Sequence, residues 1–471
     1  MAYNSLRDSY DVIVLGLGPG GGEVAERLAE AGLQVLGVDP HLVGGECPYY
    51  GCIPSKMIVR AAETLAEAGH VNALAGVANT MPDFSVVAAR IRTEATDDWN
   101  DQVAVDRLEN LGGHFVRAAG QLAGRDEQGR ARVQIGDRRV AATKAVVVAT
   151  GTAPAVPPIP GLADLIGEGL DPAGPVWTNR EVLRIRRLPR SLIVLGGGAV
   201  GTELAQGLGR FGVRIIQLEG GQRILGPEEP EASRVIASVL DREGIELHTS
   251  VSISSIGPDP AGVSVRLADG RSFVAERLLL AAGRRQHIPE LAVDTVGLDP
   301  RARNLDVDEH MKVAEGIYAV GDVTGRGAFT HVAVWQARVL IAHLLGRPEP
   351  FGGYHGLAWV TFTDPEVGRT GLSERQARDS GLRVGVGRAE ISASTRGWIH
   401  GAGNEGFVKV VADRNRGVLV GATVVAASGG EILGMLTLAV HAAVPLEALA
   451  SMHYAYPTLH RTIGDAIRDL G

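Results

Sequence analysis

Asp11-Val12-Ile13-Val14-Leu15-Gly16-Leu17-Gly18-Pro19-Gly20-Gly21 is the stretch that decides the fold. An apolar run of strand formers enters a Gly-x-Gly-x-x-Gly turn. A helical stretch follows to Ala31-Gly32, then an apolar strand Val35 to Val38 that ends at Asp39. Each glycine has a task. Gly16 permits the tight turn, Gly18 lets a pyrophosphate approach the backbone, and Gly21 lets helix and strand pack closely. The helix N-terminus faces the phosphates, and the terminal acid bonds ribose hydroxyls. A glycine turn alone is weak evidence. Strand, turn, helix, strand and acid in that order make a βαβ dinucleotide fingerprint.

The plan recurs. Leu192-Ile193-Val194-Leu195-Gly196-Gly197-Gly198-Ala199-Val200-Gly201 leads through a helix to Phe211-Gly212, then Val213 to Leu218 and Glu219. In both copies the first glycine and the terminal acid lie 23 positions apart. Two complete copies imply two dinucleotides. Each is followed by a further short strand ending in glycine: Ala145 to Val148 before Gly151, and Leu278 to Leu280 before Gly283. A third such stretch is Gly316 to Asp322. Pro154 to Pro160 reads as a stiff connector, and Gly346 to Gly353 as another. Beyond it the pattern changes to a strand pair, Phe407 to Val411 and Val418 to Val425, and a helix Gly430 to Ala443.

The bulk numbers fit about three globular domains in 471 residues, with 45% hydrophobic and 21% charged residues and 63 glycines. A net charge of −8 offers no field for nucleic acid. No apolar run is long enough to span a membrane. Met1 to Ser9 is polar and lacks the basic-then-apolar pattern of a secretory leader, so a cytoplasmic location is expected.

The two cysteines sit together in Gly44-Gly45-Glu46-Cys47-Pro48-Tyr49-Tyr50-Gly51-Cys52-Ile53-Pro54-Ser55-Lys56. Two cysteines in so long a chain are not a secreted disulfide framework, and no second pair of metal-ligand spacing accompanies them, so no metal site is expected. The spacing suggests a dithiol that opens and closes during turnover. Residues five apart in one regular helix are too far apart to join. Cys47 is therefore expected in a loop and Cys52 at the start of the next helix, whose N-terminus favours a thiolate.

In this order the fingerprints, the cysteine segment, Ala149-Thr150-Gly151, Tyr318-Ala319-Val320-Gly321-Asp322 and Phe362-Thr363-Asp364-Pro365-Glu366-Val367-Gly368 resemble the FAD-dependent pyridine nucleotide-disulfide oxidoreductases, over nearly the whole chain. That group includes dihydrolipoamide dehydrogenase, glutathione reductase and mercuric reductase. The resemblance implies an α/β fold with two Rossmann-like domains, for FAD and NAD(P), and an α+β C-terminal dimerisation domain. The implied ranges are 1–157 and 282–347 for the two parts of the FAD domain, 158–281 for the NAD(P) domain and 348–471 for the interface domain.

The resemblance also implies roles. Gly16, Gly18, Gly21, Asp39, Gly45, Gly151, Gly321 and Asp322 would hold FAD. Cys52 would be the thiol nearest the isoalloxazine, and Cys47 the interchange thiol. Lys56 would lie by the flavin, paired with Glu203. Gly196, Gly198, Gly201, Glu219 and Gly283 would bind the nicotinamide cofactor. Glu219 favours NADH over NADPH, because it bonds a free 2′-hydroxyl and repels a 2′-phosphate, although Arg223 nearby could blur the choice. A homodimer is implied, with Glu431 and Tyr454 to Thr458 acting across to the partner.

One departure matters. Disulfide-reducing members carry His-x-His-Pro-Thr-x-x-Glu near the C-terminus, where the second His is the acid/base. Here the stretch is Tyr454-Ala455-Tyr456-Pro457-Thr458-Leu459-His460-Arg461, with Tyr456 in the base position and Arg461 in place of the Glu. A phenol is a poor proton acceptor at neutral pH. His453 and His460 flank the motif without matching its position. The expected activity is electron transfer from NAD(P)H through FAD and Cys47–Cys52 to a small acceptor: a disulfide, a quinone or another molecule. The alternatives are dihydrolipoamide dehydrogenase, against which Tyr456 counts, and a mercuric-reductase-like metal-ion reductase, against which the lack of a C-terminal cysteine pair counts. A flavin-binding protein without catalysis fits least, given both cysteines and both fingerprints. Glu46, Pro48, Tyr49 and Tyr50 would crowd the acceptor pocket, while Trp335 and Trp398 are expected to be packing residues.

Overall fold

The computed structural model describes residues 6–350 and 352–470; residues 1–5, Phe351 and Gly471, which the domain ranges above include, lie outside them. The chain divides into two compact units. One comprises residues 1–54, 90–155 and 284–351, and the other 55–89, 156–283 and 352–471.

In the first unit the strand Ser9–Leu15 lies between Val35–Val38 and Arg138–Val148, parallel to both. His114–Val116 and Ile317–Ala319 extend the parallel sheet on either side, and Lys312–Ala314 adds an antiparallel edge. Central strands of this kind are covered on both faces, which is why they read as unbroken apolar runs rather than alternating ones. Val12, Ile13, Val14 and Leu15 are all buried to within 1% of completely, each side chain contributing about 1.5–3 kcal/mol by leaving water.

The helix Pro19–Glu30 starts with proline in its first turn, where the missing N–H costs nothing, and buries Val24, Ala25, Leu28 and Ala29 on one face. It crosses the helix Thr330–Leu345 closely. A Cβ added at Gly20 would stand 3.1 Å from the Ala333 carbonyl oxygen, so the crossing depends on a small residue there.

The second unit holds a five-stranded parallel sheet in the order Glu246–His248, Arg214–Leu218, Ser191–Leu195, Arg277–Leu280, Val176–Trp177. The helix Ala199–Gly209 follows its central strand. A three-stranded antiparallel sheet, Ile253–Asp259, Gly262–Leu267 and Ser272–Ala275, accompanies it. Residues 358–426 form a five-stranded antiparallel sheet, in which Phe407–Asp413 pairs with Val418–Ala426. The helix Gly429–His441 packs Ile432, Leu433, Leu436, Ala439 and Val440 into the core of that sheet. The predicted strand pair and helix of the tail are therefore present, with ends shifted by one or two residues. Among the described residues no helix is long and apolar enough to cross a membrane.

Candidate active site

The two fingerprints fold alike down to single atoms. Gly16 has φ +91° and Gly196 φ +115°. A Cβ at Gly16 would meet the Ala149 carbonyl oxygen at 2.5 Å, and one at Gly196 the Ala281 carbonyl oxygen at 2.3 Å. At Gly21 and Gly201 a Cβ would strike the carbonyl oxygens of Gly16 and Gly196 at 2.0 and 2.3 Å. At Gly18 and Gly198, by contrast, it would meet nothing within 4 Å. The middle glycines therefore face open space at the N-caps of their helices, as the approach of a diphosphate requires.

The acids match as well. Asp39 accepts from the Leu17 amide at 2.7 Å and the His41 amide at 2.8 Å. Glu219 accepts from the amides of Gly197 and Gly221. Each oxygen keeps a second lone pair for a ribose hydroxyl. Burial pushes the Asp39 carboxyl above its ordinary value, although its two backbone donors pull the other way. Thr150 Oγ1, next to the wall of the first turn, is buried without a hydrogen-bond partner among the described residues. An open cradle, a fixed acid and an unsatisfied hydroxyl fit a dinucleotide at the first site. Arg223 does not compete at the second. Its guanidinium donates to the carbonyls of Leu225, Gly226 and Glu228 and to Ser233 Oγ.

The cysteine segment departs from expectation in one respect. Cys47 lies not in a loop but in a one-turn helix, Glu46–Tyr50, and Cys52 opens the long helix Cys52–Leu74. Gly51, at φ −138° and ψ −114°, breaks the register between them. The geometric constraint on a five-residue separation stands, but the chain meets it with a kink rather than a loop. Cys47 is half-buried and Cys52 exposed. Cys52 Sγ lies 3.6 Å from Thr330 Oγ1, at the start of the helix Thr330–Leu345. The preceding glycines are pinned to the first fingerprint. The Gly44 amide donates to the Leu17 carbonyl at 2.7 Å, and a Cβ at Gly45 (φ +69°) would come within 2.8 Å of the Gly18 Cα.

Lys56, further along the same helix, pairs with Glu203: Nζ to Oε2 is 2.8 Å. Glu203 is 6% exposed and the Lys56 side chain 33% exposed, so the ammonium is partly solvated. The other oxygen of Glu203 accepts from the Phe362 amide at 2.8 Å, and Lys56 Nζ stands 4.5 Å from the Phe362 ring centroid. One helical turn beyond Glu203, Gln206 bonds both the amide and the carbonyl of Asp364 at 2.8 Å.

A polar chain beside the cysteines was not foreseen. Arg284 pairs with Glu46 at 3.3 Å and donates to Thr152 Oγ1 at 2.6 Å and to the Thr152 carbonyl at 2.7 Å. Thr152 Oγ1 donates to Asp322 Oδ2 at 2.8 Å, and Gln286 Nε2 donates to the Asp322 carbonyl at 2.9 Å. The antiparallel pairing of Thr152–Pro154 with Arg284–Gln286 brings these residues together. No local sequence signal marks a contact between positions so far apart. Gly151, Gly283 and Gly321 all have positive φ, and the Gly321 amide donates to Gln336 Oε1.

In the second unit Tyr456 is 65% exposed, with its hydroxyl 3.3 Å from Thr395 Oγ1 and the Arg461 guanidinium 5.5 Å from its ring centroid. His453, His460 and Glu431 are exposed. Trp335 packs against the core of the first unit as expected, but Trp398 is 76% exposed and is not a packing residue within this chain. It sits on the short helix Thr395–His400, too small to bury it.

Comparison with known proteins agrees with this geometry. The pyridine nucleotide-disulphide oxidoreductase family matches residues 10–337, and its dimerisation domain matches residues 357–467. The dihydrolipoyl dehydrogenase of Chlorobaculum tepidum is 32% identical, with 99% of this chain and 98% of that protein aligned. That of Halobacterium salinarum is 31% identical over 99% and 97%. Among solved structures, LpdA from Mycobacterium tuberculosis superposes with a TM-score of 0.85 at 26% identity, over 98% of this chain and 99% of LpdA. The flavoprotein disulfide reductase RclA from Escherichia coli shares the fold at 24% identity and a TM-score of 0.81, over 98% and 99% of the two chains. The chain belongs to the pyridine nucleotide-disulphide oxidoreductase family. It is an FAD-dependent NAD(P)H oxidoreductase of the disulfide-reductase type, and its C-terminal part is the family's dimerisation domain, which supports a homodimer.

Proposed function

We propose that this protein oxidises NADH and delivers the electrons, through FAD and the Cys47–Cys52 pair, to a small acceptor whose reduction does not call for an imidazole base. One observation carries the reading: Tyr456, exposed and bonded to Thr395, stands where disulfide-reducing members place their catalytic His. A neighbouring imidazole that holds and returns a proton is typically worth 10²–10⁴-fold. A phenol can donate a proton but is a poor acceptor at neutral pH. Quinone-type acceptors fit that limit better than lipoamide.

Bound FAD supplies the two-electron relay between nicotinamide and thiols. The chain's own residues do the rest. Gly16, Gly18 and Gly21 admit the diphosphate, with Gly45, Gly151 and Gly321 shaping the turns around it. Asp39 bonds ribose, and Asp322, held by Thr152, bonds the flavin's polar chain. Gly196, Gly198, Gly201, Gly283 and Glu219 hold NADH, and the internal bonding of Arg223 supports the NADH preference. Lys56, steadied by Glu203, sets a positive charge at the flavin. Cys52 takes the flavin side and Cys47 the acceptor side. As they join in a disulfide they give up two electrons and two protons, which the acceptor takes.

The domain limits at residues 157, 281 and 347 go with this reading. So do a cytoplasmic location, where a cycling dithiol suits a reducing compartment, and a homodimer in which Tyr456 and Glu431 serve the partner's site. The exposure of both residues supports the last point.

The test is anaerobic reduction by NADH followed by reoxidation with a panel of quinones, lipoamide and other disulfides, beside Cys47→Ser and Tyr456→His/Arg461→Glu. Fast quinone turnover and slow lipoamide turnover, the latter raised by the double variant, support the proposal. Fast lipoamide turnover by the native protein overturns it. That outcome would favour the second reading, dihydrolipoamide dehydrogenase, toward which the names of the full-length relatives point.

A further inference from the structure

We propose that His310, His343 and Glu349 form a binding site for a divalent transition-metal ion of the zinc class, separate from the dithiol. All three belong to the first unit, and one ligand atom from each lies within 4.8 Å of the others. His310 Nδ1 is 2.6 Å from Glu349 Oε1, and His343 Nδ1 is 4.0 Å from the same oxygen. Bonds of about 2.0–2.2 Å in a tetrahedral shell put neighbouring ligand atoms roughly 3.3 Å apart. The two observed separations bracket that value, so small side-chain rotations close the shell.

The donors choose the ion. Two imidazoles and a carboxylate suit Zn²⁺, Co²⁺, Ni²⁺ or Cu²⁺ rather than Mg²⁺ or Ca²⁺, which take oxygen shells. All three side chains are partly exposed, so an ion enters from solvent and water completes its shell. The imidazole rings stack at 4.5 Å and 18°. Glu309 Oε1 stands 4.0 Å from His310 Nε2 and can hold the far nitrogen of that ring.

The backbone under each ligand is already fixed. Asp308 Oδ1 accepts from the amides of His310 at 2.9 Å and Lys312 at 2.8 Å, locking the turn that carries His310. His343 is in the last turn of the helix Thr330–Leu345, which ends at Gly346 in the left-handed conformation, φ +62°. The Gly346 and Arg347 amides close back onto His343 and Ala342. That reversal returns the chain toward His343, and Pro348 and Pro350 stiffen the segment on both sides of Glu349. The ion would clip three separate pieces of chain together: the turn before the edge strand, the helix end and the proline connector. With the ion on Nδ1, the proton of the His310 ring would sit on Nε2, the nitrogen that faces Glu309. Because the ligands are spread over positions 310 to 349, no spacing motif announces them.

Thiolates in general ligate zinc, so the experiment removes the two cysteines. FAD-loaded Cys47→Ser/Cys52→Ser protein is titrated with ZnCl₂ by calorimetry, and its zinc is counted by atomic emission after desalting. The same is done with His343→Ala and with Glu349→Gln, the milder change, in that background. One bound equivalent in the parent, lost in both variants, together with a zinc-dependent rise in melting temperature seen only in the parent, is the expected result. No binding in the parent, or binding by Glu349→Gln and His343→Ala as strong as the parent's, overturns the proposal. Should His343→Ala fail to fold, Glu349→Gln decides alone.

Discussion

Glu203 holds the Lys56 ammonium with one carboxylate oxygen and the Phe362 backbone amide with the other, both at 2.8 Å. A single side chain on the second-fingerprint helix thus fixes both the lysine that follows the dithiol and the entry to the C-terminal sheet. Glu203→Gln keeps an acceptor for Phe362 but removes the charge facing Lys56. Because Lys56 is partly solvated, the stability cost should stay at about 1–2 kcal/mol. Flavin reduction by NADH, followed by anaerobic stopped flow, should slow roughly tenfold, the equivalent of about 1.4 kcal/mol in the barrier. An unchanged rate with a lowered melting temperature would make the pair purely structural.

Two glycines of the first turn should fail differently. Gly16→Ala drives a Cβ into the Ala149 carbonyl at a positive φ, so it should lose stability, with about 1–3 kcal/mol from backbone strain alone. Gly18→Ala meets nothing in the chain. It should melt normally without cofactor yet retain little FAD on gel filtration. Equal FAD retention in Gly18→Ala and the native protein would remove Gly18 from the diphosphate path.

In the proposed reading cofactor choice rests on Glu219, with Arg223 bonded to the carbonyls of Leu225 and Glu228 and to Ser233. Glu219→Ala should lower kcat/KM for NADH by about 10–100-fold, the worth of a hydrogen bond to a charged group, and change that for NADPH far less. Steady-state kinetics with both cofactors checks this.

Lys409, 3% exposed, touches Glu229, Glu231 and Glu374 within 3.1 Å. Burial lowers the Lys409 pKa, but its hydrogen bonds to Glu374 and Glu229 outweigh that and raise it above its ordinary 10.5. Glu374 is lowered chiefly by its bond to Lys409. Glu231 is lowered too, its hydrogen bonds overcoming burial. A raised lysine stabilises below its unfolded pKa and loses that contribution as pH rises through the folded value. The lowered carboxylates stabilise above their ordinary 4.5 and lose it as pH falls through theirs. Lys409→Met should therefore cost about 3–5 kcal/mol near pH 7, and the deficit should shrink in acid as the stranded glutamates take up protons. Thermal melts across pH would show it; a deficit independent of pH would contradict the ionic account.

What the sequence made legible was local. The fingerprints declare themselves because turn, helix and acid lie within one βαβ unit, and the strand Val35–Val38 begins and ends where its apolar run does. Pairing of Lys56 with Glu203 came from motif resemblance and matches the geometry. Less accessible was anything made by distant chain. Arg284 reaches Thr152 and Glu46 only because two short strands pair antiparallel, and Lys409 meets Glu229 and Glu231 across about 180 positions. The helix that carries Cys47 is hidden for a different reason: one turn closed by a kinked glycine leaves no periodicity to detect.

The most direct test is an anaerobic reductive titration of the FAD-loaded protein beside Cys47→Ser. If the thiols are a second redox centre in series with the flavin, the native protein takes up two electrons more per chain than the variant before the flavin is fully bleached. Equal electron uptake by the two would contradict the account and leave the flavin as the sole donor.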